Sequence, residues 1–475
     1  MEKVGQYIIN VADFLCGYPL FFLLIGGGLY LFLASGAVSV RRLPESLSAL
    51  RNKKGSEATG QISSFQALMS AVAGTVGLGN IAGVAIALAT GGPGAIFWMW
   101  ISALLGMCTK YHEGALAIMY KGKAADGSPR GGIMYIIEGA LGKRWKPLAV
   151  FFAVAGMFGT LCIINANQLT QALVSGLTTP ESVAQSGFFT SMGSLIGTDA
   201  DGGLRLCIGL GIALVVSLVV LSGVKRIARV SSVLVPFMVG VYFLMVLYII
   251  ATHFGRVPEV ISTIFSEAFN LRAGFGALAG IAIIGARRAA LVNDAGIGTA
   301  SIMHGASRNT QPVREGLVAM LGPALDSGFV CTLTALALLL GFDFGDTTGE
   351  IRGLEVAMEA FGSNIPHGEI WLLFMVTCFA LSSMFSYSYY GTSCAAYLFG
   401  EKRARLYTII YILTLVIFAV VPVGVAVGLT DLFYAFMAIP AMSTILILSG
   451  RVRKATRAYF SGAGDKDAPA TPPSK

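Results

Sequence analysis

Charged residues are scarce in this chain of 475 residues, where Asp, Glu, Lys and Arg together make up 12%. Soluble domains average about 25%. Apolar residues make up 55%, and many apolar runs exceed the roughly 20 residues that a helix needs to cross a bilayer. The composition excludes an ordinary soluble domain and predicts an all-α polytopic membrane protein.

Enzyme signatures are missing as well. The chain has neither a GxSxG nucleophile motif nor a GxxxxGK(S/T) phosphate loop, and His112-Glu113 is not followed by a second histidine at metalloprotease spacing. None of the seven cysteines forms a CxxC pair, which favours buried apolar thiols over a metal or redox site. We therefore expect that the protein is not an enzyme, inside the membrane or outside it.

A cleavable signal sequence is not indicated either. Only Lys3 precedes the first apolar run, whereas five Lys and Arg residues follow it between positions 41 and 54. A signal peptide has the opposite order of charge. The first run is therefore predicted to remain as a membrane span.

The apolar pattern predicts about eleven transmembrane helices. Their predicted bounds are 18–38, 61–90, 94–120, 148–176, 204–222, 228–252, 273–304, 313–341, 368–399, 405–427 and 430–450. Two further segments, 258–270 and 350–361, are too polar to span and are expected to cover the outer face.

The distribution of basic residues orients these spans. Of the 33 Lys and Arg residues, 25 lie in loops and a tail that face the cytoplasm if the N-terminus is outside. This asymmetry follows the positive-inside rule and predicts a cytoplasmic C-terminus. The lipid bilayer then explains the net charge of +8 without a nucleic-acid partner. We expect a plasma membrane, specifically a bacterial inner membrane, and a basic tail at its surface.

Residues 71–83 place several glycines inside an apolar span. The run reads Ala-Val-Ala-Gly-Thr-Val-Gly-Leu-Gly-Asn-Ile-Ala-Gly. Each glycine costs a helix about 1 kcal/mol relative to alanine. Broken backbone in the membrane is tolerated only where protein or a water-filled cavity supplies hydrogen-bond partners. The run therefore predicts a discontinuous helix at a substrate or ion site.

The span 273–304 is interrupted by glycines in the same way, with its break expected at 276–285 or at 292–298. Such paired segments indicate two inverted repeats. With the first span set aside, five spans remain in each half. The expected units are an N-terminal span and loop (1–60), two five-helix repeats (61–252 and 253–450) and a basic, partly disordered tail (451–475).

Several motifs carry a resemblance to one family. They are Gly91-Gly92-Pro93-Gly94-Ala95-Ile96-Phe97-Trp98-Met99-Trp100, Gly74-Thr75-Val76-Gly77 with Gly79-Asn80-Ile81-Ala82-Gly83, Thr109-Lys110-Tyr111, Arg130-Gly131-Gly132 and Pro312-Val313-Arg314. From about residue 60 to 450 the chain resembles the alanine or glycine:cation symporter family, whose members resemble the leucine-transporter-type fold. It departs from the family's usual Ser-Asn-Glu-Ala-Gly at 292–296, and it has Asn165 where the family commonly has Gln.

The resemblance implies import of a small neutral amino acid, alanine or glycine, coupled to inward movement of Na⁺ by alternating access. The run Val76-Gly77-Leu78-Gly79-Asn80 also resembles the first core helix of neurotransmitter:sodium symporters, which supports sodium. Two alternatives stay open, namely proton coupling with Asp326 as the carrier and an uncoupled, channel-like facilitator. The oligomeric state is open too, and a monomer is compatible with the sequence.

An amino-acid substrate brings one carboxylate and one ammonium group. The N–H groups at a half-helix N-terminus suit the carboxylate, and the carbonyls freed before the break suit the ammonium or a sodium ion. Glycines can instead serve helix packing, and membrane asparagines can instead bond neighbouring helices. The candidate substrate-binding residues are Gly74, Thr75, Gly77, Gly79, Asn80, Asn165, Asn167, Phe275, Gly280 and Ile283.

The resemblance also implies a sodium site closed by the hydroxyls of Ser382 and Ser383. Asp326 is an intramembrane carboxylate, a residue type that is functional by default, and it can bind a cation, carry a proton or pair with Lys110. The candidate cation ligands are Ala73, Val76, Asn80, Asp326, Phe379, Ser382 and Ser383. A gate network toward the cytoplasmic end is expected at Arg287, Arg288 and Asp294.

The predicted topology can be tested with two reporter fusions. Alkaline phosphatase fused after residue 190 is expected to be active, because that loop faces outward, whereas a fusion after residue 460 is expected to be inactive. Green fluorescent protein at the same two positions serves as the reciprocal control. Both positions on the same side of the membrane would contradict the eleven-span topology.

Overall fold

The computed structural model is a bundle of long α-helices. It describes residues 11, 14, 15, 17–51, 61–123, 127, 129–269, 275–342, 344 and 353–461. Within these residues, 7 helices are long and apolar enough to cross a membrane, and a helix pair bent by 63° forms a further candidate span. The prediction of an all-α polytopic membrane protein is thus confirmed.

The helices and strands are numbered in chain order. They are α1 (Tyr18–Ala34), α2 (Val38–Arg41), α3 (Leu43–Arg51), α4 (Ser64–Thr75), α5 (Ala82–Gly91), α6 (Gly94–Met119), β1 (Gly122–Lys123), β2 (Pro129–Arg130), α7 (Ile133–Leu141), α8 (Lys146–Gly159), α9 (Ile163–Leu177), α10 (Pro180–Ala184), α11 (Gly187–Ser194), α12 (Ala200–Val220), α13 (Val224–Thr252), α14 (Val257–Ala268), α15 (Phe275–Val292), α16 (Thr299–Gly305), α17 (Pro312–Gly341), α18 (Gly353–Asn364), α19 (Gly368–Phe399), α20 (Glu401–Val420) and α21 (Val423–Phe460).

Helices occupy all eleven predicted spans, and the largest differences concern the last two. Helix α20 ends at Val420 rather than at 427, because Val421 precedes Pro422 and adopts an extended conformation. Helix α21 continues to Phe460, well beyond the predicted end at 450. The residues 451–460 contain neither Gly nor Pro, and Val452 is buried against the bundle. The tail predicted as partly disordered is therefore helical this far, and 462–475 lie outside the described residues.

The outer helices carry an apolar surface. Large side chains on α12, α13 and α20 are exposed, among them Leu214 at 64%, Val233 at 70% and Leu413 at 59%. An apolar surface of this extent on one bundle suits contact with lipid rather than water. The two segments predicted to be surface helices form α14, which packs on α6, and α18, which packs on α5, α17 and α19.

The first predicted break lies between α4 and α5. Val76 and Gly77 are extended, and a single 3₁₀ turn at Leu78–Asn80 leads into α5. The side chain of Asn80 closes the break, because its Oδ1 accepts the Gly77 N–H at 2.8 Å. The glycine-rich run predicted this break.

The second break lies between α15 and α16, at the later of the two expected positions. Asp294, Gly296 and Gly298 have φ values of 52°, 87° and 97°. Glycine adopts such left-handed conformations without a steric penalty, and Asp is among the few other residues that tolerate them. Glu113 of α6 accepts the freed Gly296 N–H at 2.8 Å, and Asn293 Oδ1 accepts the Ala295 N–H at 3.0 Å.

Both breaks are joined to one irregular turn of α17. The segment Ala324–Val330 is a π-helical turn that follows Pro323. Within it, Asp326 accepts a hydrogen bond from Asn80 Nδ2, and Ser327 Oγ accepts one from Asn293 Nδ2 at 3.2 Å. π turns inside α-helices occur frequently at functional sites.

A buried carboxylate ties the start of α4 to the turn between α16 and α17. Glu315 is 0% exposed, and its Oε2 accepts hydrogen bonds from Ser64 Oγ at 2.7 Å and Asn309 Nδ2 at 3.0 Å. Its Oε1 lies 2.7 Å from His304 Nδ1. The contact joins the halves of the two broken helices that the predicted topology places at the cytoplasmic end.

Replacing this carboxylate is expected to destabilise the protein. Glu315→Ala leaves the buried His304 and Asn309 and the part-buried Ser64 without their partner, and removing one member of a buried charged network costs about 3–5 kcal/mol. The temperature of thermal unfolding in detergent should therefore fall by several degrees. Glu359→Ala, on the exposed face of α18, is the matched control and should leave it unchanged. Equal unfolding temperatures for both variants would contradict the structural role of Glu315.

Candidate functional site

A cavity of about 140 Å³ lies between the two breaks. The breaks in α4–α5 and in α15–α16 form two of its walls, and α9, α19 and α21 form the others. A third helix interruption also faces it, since α8 ends at Gly159 and Cys162 adopts φ 53° before α9 begins. Glycines line much of the wall, at Gly74, Gly77, Gly79, Gly83 and Gly159.

Some of the predicted substrate residues line this cavity and others lie elsewhere. Those in the lining are Gly74, Thr75, Gly77, Gly79 and Asn165. Asn167 is buried and donates instead to the carbonyls of Phe418 and Val421, an interhelical contact. Gly280 and Ile283 lie in α15 away from the described lining, and the side chain of Phe275 lies outside the described residues.

The backbone of the first break presents two hydrogen-bond donors to the cavity. The N–H of Gly77 is donated to Asn80 Oδ1, and that of Asn80 to the Gly77 carbonyl at 3.1 Å. The N–H groups of Leu78 and Gly79, which line the cavity, have no acceptor within the described part of the chain. The oxygen of Asn80 is therefore engaged by backbone, although the sequence suggested it for a cation.

A chain of hydrogen-bonded hydroxyl groups, which ends at a carboxylate, lies in the cavity wall opposite the first break. Tyr434 donates to Tyr387 at 2.6 Å, and Tyr387 donates to the Asp294 carboxylate at 2.5 Å. Thr299 of α16 also donates to Asp294, at 3.3 Å. Asp294 is 1% exposed, so this carboxylate is held at the break by hydroxyl groups rather than by water.

Arg288 and Asp431 line one end of the cavity and attract each other electrostatically. Arg287 and Arg288 lie in α15, before the break. In the predicted topology α15 descends from the outer segment, so both arginines precede the break on the outer side, whereas the sequence suggested a cytoplasmic gate. The reason is the position of the break, which the sequence alone left open. Asp294 lies in the break itself.

The predicted sodium ligands of α4 and α19 lie together beside the cavity. Ser382 Oγ donates to the carbonyls of Phe379 at 2.9 Å and Ala73 at 3.2 Å, and Ser383 Oγ donates to Phe379 at 3.1 Å. The Ala73 carbonyl is available because its helical partner, the Gly77 N–H, is donated to Asn80. The Val76 carbonyl, at the end of α4, accepts no hydrogen bond from any described residue.

Asp326 lies outside this oxygen cluster, behind the first break. It is 0% exposed, and one of its oxygens accepts the Asn80 amide while the other, Oδ2, has no hydrogen-bond partner among the described residues. No ion pair joins it to Lys110 among them, and Lys110 acts on it only through longer-range electrostatics. An unpartnered buried carboxylate oxygen is a candidate position for a cation or a proton.

Several cavity residues were not among the predicted ligands, and those that matter for the site's polarity include Gln168, Tyr387, Asp431 and Tyr434. Asp431 carried a usable signal, because it is a carboxylate at the edge of an apolar span. Gln168 lies three residues after Asn165 and shares its helix face. The two tyrosines carried no signal, since aromatic residues are common in apolar helices.

The fold and the site define a class of protein. Discontinuous helices that meet at a small polar cavity inside a helical bundle are typical of secondary transporters. Such sites bind charged solutes by backbone groups and hydroxyls instead of by a catalytic constellation.

Known proteins identify the family. The sequence model of the Sodium:alanine symporter family matches residues 1–471. The sodium/alanine symporter AgcS of Methanococcus maripaludis is 38% identical over 455 residues, which are 95% of this chain and 96% of that protein. A probable sodium/glutamine symporter of Bacillus subtilis, GlnT, is 31% identical over 463 residues, which are 97% of this chain and 91% of that protein.

Among solved structures, the crystal structure of MhsT in complex with L-phenylalanine is similar, with a TM-score of 0.52. It is 17% identical and the match covers 84% of this chain and 89% of that chain, so it shows the fold alone. The chain belongs to the sodium:alanine symporter family. It is an amino-acid:cation symporter, not an enzyme, and the predicted family and fold are confirmed.

Filling the cavity from its glycine wall is expected to block transport. A side chain at Gly79 would enter the cavity, where its Cβ alone lies 3.3 Å from Val292 Cγ2. Overpacking of this kind costs about 1–3 kcal/mol. Gly79→Val should therefore weaken amino-acid uptake at least about tenfold, measured with radiolabelled alanine in proteoliposomes.

Gly240→Val is the matched control, because a Cβ at Gly240 in α13 meets nothing within 4 Å. It should reach the membrane and transport normally. Gly280→Val tests the predicted substrate residues that do not line the cavity, since a Cβ at Gly280 also meets nothing within 4 Å but Gly280 lies away from the cavity. Normal uptake by Gly79→Val would move the substrate site elsewhere.

Proposed function

We propose that the protein imports alanine or glycine together with Na⁺. The observation that carries this proposal is the position of the small glycine-lined cavity directly beside the oxygen cluster of α4 and α19. Ser383 belongs to both, and Gly77 of the cavity wall lies against it, since a Cβ at Gly77 would be 2.9 Å from Ser383 Oγ. A ligand in the cavity and an ion in the oxygen cluster would both contact the backbone of the break between α4 and α5.

The two charged ends of an amino acid find opposite partners across the cavity. The free N–H groups of Leu78 and Gly79 suit the carboxylate, as helix N-termini do in other anion sites. The Asp294 carboxylate and the side-chain oxygen of Asn165 suit the ammonium group. The substrate then bridges the first break and the second.

Cavity size favours a small side chain. A cavity of about 150 Å³ in another protein admits benzene, so about 140 Å³ suits a ligand with as many heavy atoms as alanine has. Glutamine, named for the GlnT relative, has a longer side chain, which a cavity of this volume accommodates less readily. Because each methylene changes binding by only about 1–3 kcal/mol, we expect graded selectivity with alanine and glycine preferred.

Sodium as the coupling ion is supported by the chemistry of the oxygen cluster. Its carbonyl and hydroxyl groups are the hard, neutral oxygens that bind a small monovalent cation in broken membrane helices. Inward movement of one Na⁺ down a membrane potential of 100 mV supplies about 2.3 kcal/mol. This drives accumulation if the orientation is the predicted one, with the C-terminus in the cytoplasm of a bacterial inner membrane.

Proton coupling is the second candidate, and the unpartnered Oδ2 of Asp326 favours it. A proton on this oxygen neutralises a buried charge next to the first break. Uptake in proteoliposomes with sodium and pH gradients imposed separately distinguishes the candidates. Uptake that follows only the pH gradient would overturn sodium coupling, and uptake that needs neither gradient would indicate a facilitator.

The oxygen cluster can be tested by removing its two hydroxyls. Ser382→Ala with Ser383→Ala deletes two oxygen ligands of a cation, each contact being worth about 1.5–3 kcal/mol. The sodium concentration for half-maximal alanine uptake should rise at least about tenfold. Amino-acid affinity at saturating sodium should change much less.

Ser388→Ala with Ser393→Ala is the matched control, because both hydroxyls are buried in the same helix and lie outside the cluster. This variant should keep the wild-type sodium requirement. If the Ser382/Ser383 variant keeps it too, the cluster is not a coupling site, and Asp326 becomes the remaining cation candidate.

A further inference from the structure

A second cavity, of about 540 Å³, lies where α1 and α2 meet the end of α21. It is far larger than the transport cavity and shares no lining residue with it. We call it the basic pocket, and its defining residues are Leu33, Arg41, Arg42, Arg453, Arg457 and Phe460. No acidic side chain is among the described residues that line it.

Three of the four arginines are available to a ligand. Arg41, Arg453 and Arg457 are exposed, and their guanidinium groups have no hydrogen-bond or ion-pair partner in the described part of the chain. Unpaired guanidinium groups that converge on one cavity favour an anion with several acceptor oxygens, because each group offers a planar fork of donors. Phosphate is the anion that this geometry suits best.

The fourth arginine, Arg42, has a structural role in the pocket, because its charge is compensated by an ion pair. Arg42 donates to Glu45 Oε1 at 2.6 Å and lies 3.9 Å above the ring of Phe460. The bond to Arg42 lowers the pKa of the exposed Glu45 carboxyl, which keeps the pair ionised and locally neutral. The contact with Phe460 joins α2 to α21 and so holds the two walls together.

The upper rim of the pocket is apolar. Leu33 at the end of α1 is 69% exposed and lines the pocket, and Phe460 of α21 lines it as a second large apolar side chain. A ligand that fits both parts carries a phosphate at one end and hydrocarbon at the other. Basic pockets between transmembrane helices at the cytoplasmic side bind acidic lipid headgroups.

We propose that the basic pocket binds the phosphate headgroup of an anionic phospholipid from the cytoplasmic leaflet. The proposal uses the predicted orientation, which places these arginines at the cytoplasmic surface, but it is independent of the transported substrate and of the coupling ion. The lipid links the first helix to the last and so fastens α1, which lies outside the two predicted repeats.

Native mass spectrometry of the detergent-purified full chain tests this directly. Dioleoyl phosphatidylglycerol and dioleoyl phosphatidylcholine share acyl chains and differ in headgroup charge. We expect tighter binding of phosphatidylglycerol, and about thirtyfold weaker binding in the double variant Arg453→Gln, Arg457→Gln, the loss expected when two arginines leave a membrane-surface site. Arg41→Gln, on a different element, should weaken binding as well, which guards against misfolding of one variant.

The matched control is Arg403→Gln with Arg405→Gln, which removes the same charge from the exposed start of α20. It should bind phosphatidylglycerol as the wild type does. Equal losses in both double variants, or equal affinity for the two lipids, would overturn the proposal. So would displacement of phosphatidylglycerol by millimolar inorganic phosphate, which would indicate a site for free anions. If phosphatidylglycerol binds only after Asp465→Asn and Asp467→Asn, the chain's own C-terminal segment occupies the pocket and the lipid assignment fails.

Discussion

Two asparagine amides bind both broken helices to the same π turn, and the transport cavity depends on these contacts. Asn80 donates to Asp326 and Asn293 donates to Ser327, while the oxygen of each amide accepts a backbone N–H of its own break. All four side chains are at most 1% exposed. A break in a membrane helix is stable only if its backbone groups find partners, and a single amide here supplies one partner locally and anchors the break to α17.

The capping bond at the first break has a second effect, on the cation cluster. Because the Gly77 N–H is donated to Asn80, the Ala73 carbonyl loses its helical donor and turns to Ser382 of α19. The interruption of α4 thus creates the oxygen that faces the cluster, and the same interruption frees the N–H groups that face the cavity. In the proposed function, substrate and ion act on this one segment of backbone, and coupling between them must then be reciprocal in their affinities.

The sequence could predict the breaks but not all of their surroundings. Glycine clusters in apolar runs indicate either a helix break or close helix packing, so the first break was within reach, whereas the sequence left two positions open for the second. Asn165 and Asn167 show the limit, because residues two apart point about 200° apart on a helix and only one of them can face the cavity. Tyr387, Tyr434 and the partner of Asp326 depend on how distant helices pack, which no local pattern records.

The two breaks reach the same hydrogen-bonding arrangement from different local sequences. Asn80 follows the N–H that it accepts by three residues, whereas Asn293 precedes its own by two. At each break, an asparagine amide accepts a backbone N–H of the break through its oxygen and donates to α17 through its nitrogen. The acceptor in α17 differs between the two breaks, since it is a carboxylate at Asp326 and a hydroxyl at Ser327. That difference gives the arrangement its asymmetry, because only the carboxylate changes charge when it gains a cation or a proton. A change at Asp326 therefore acts first on the break between α4 and α5, where we propose that the substrate binds, and reaches the other break through the π turn that they share.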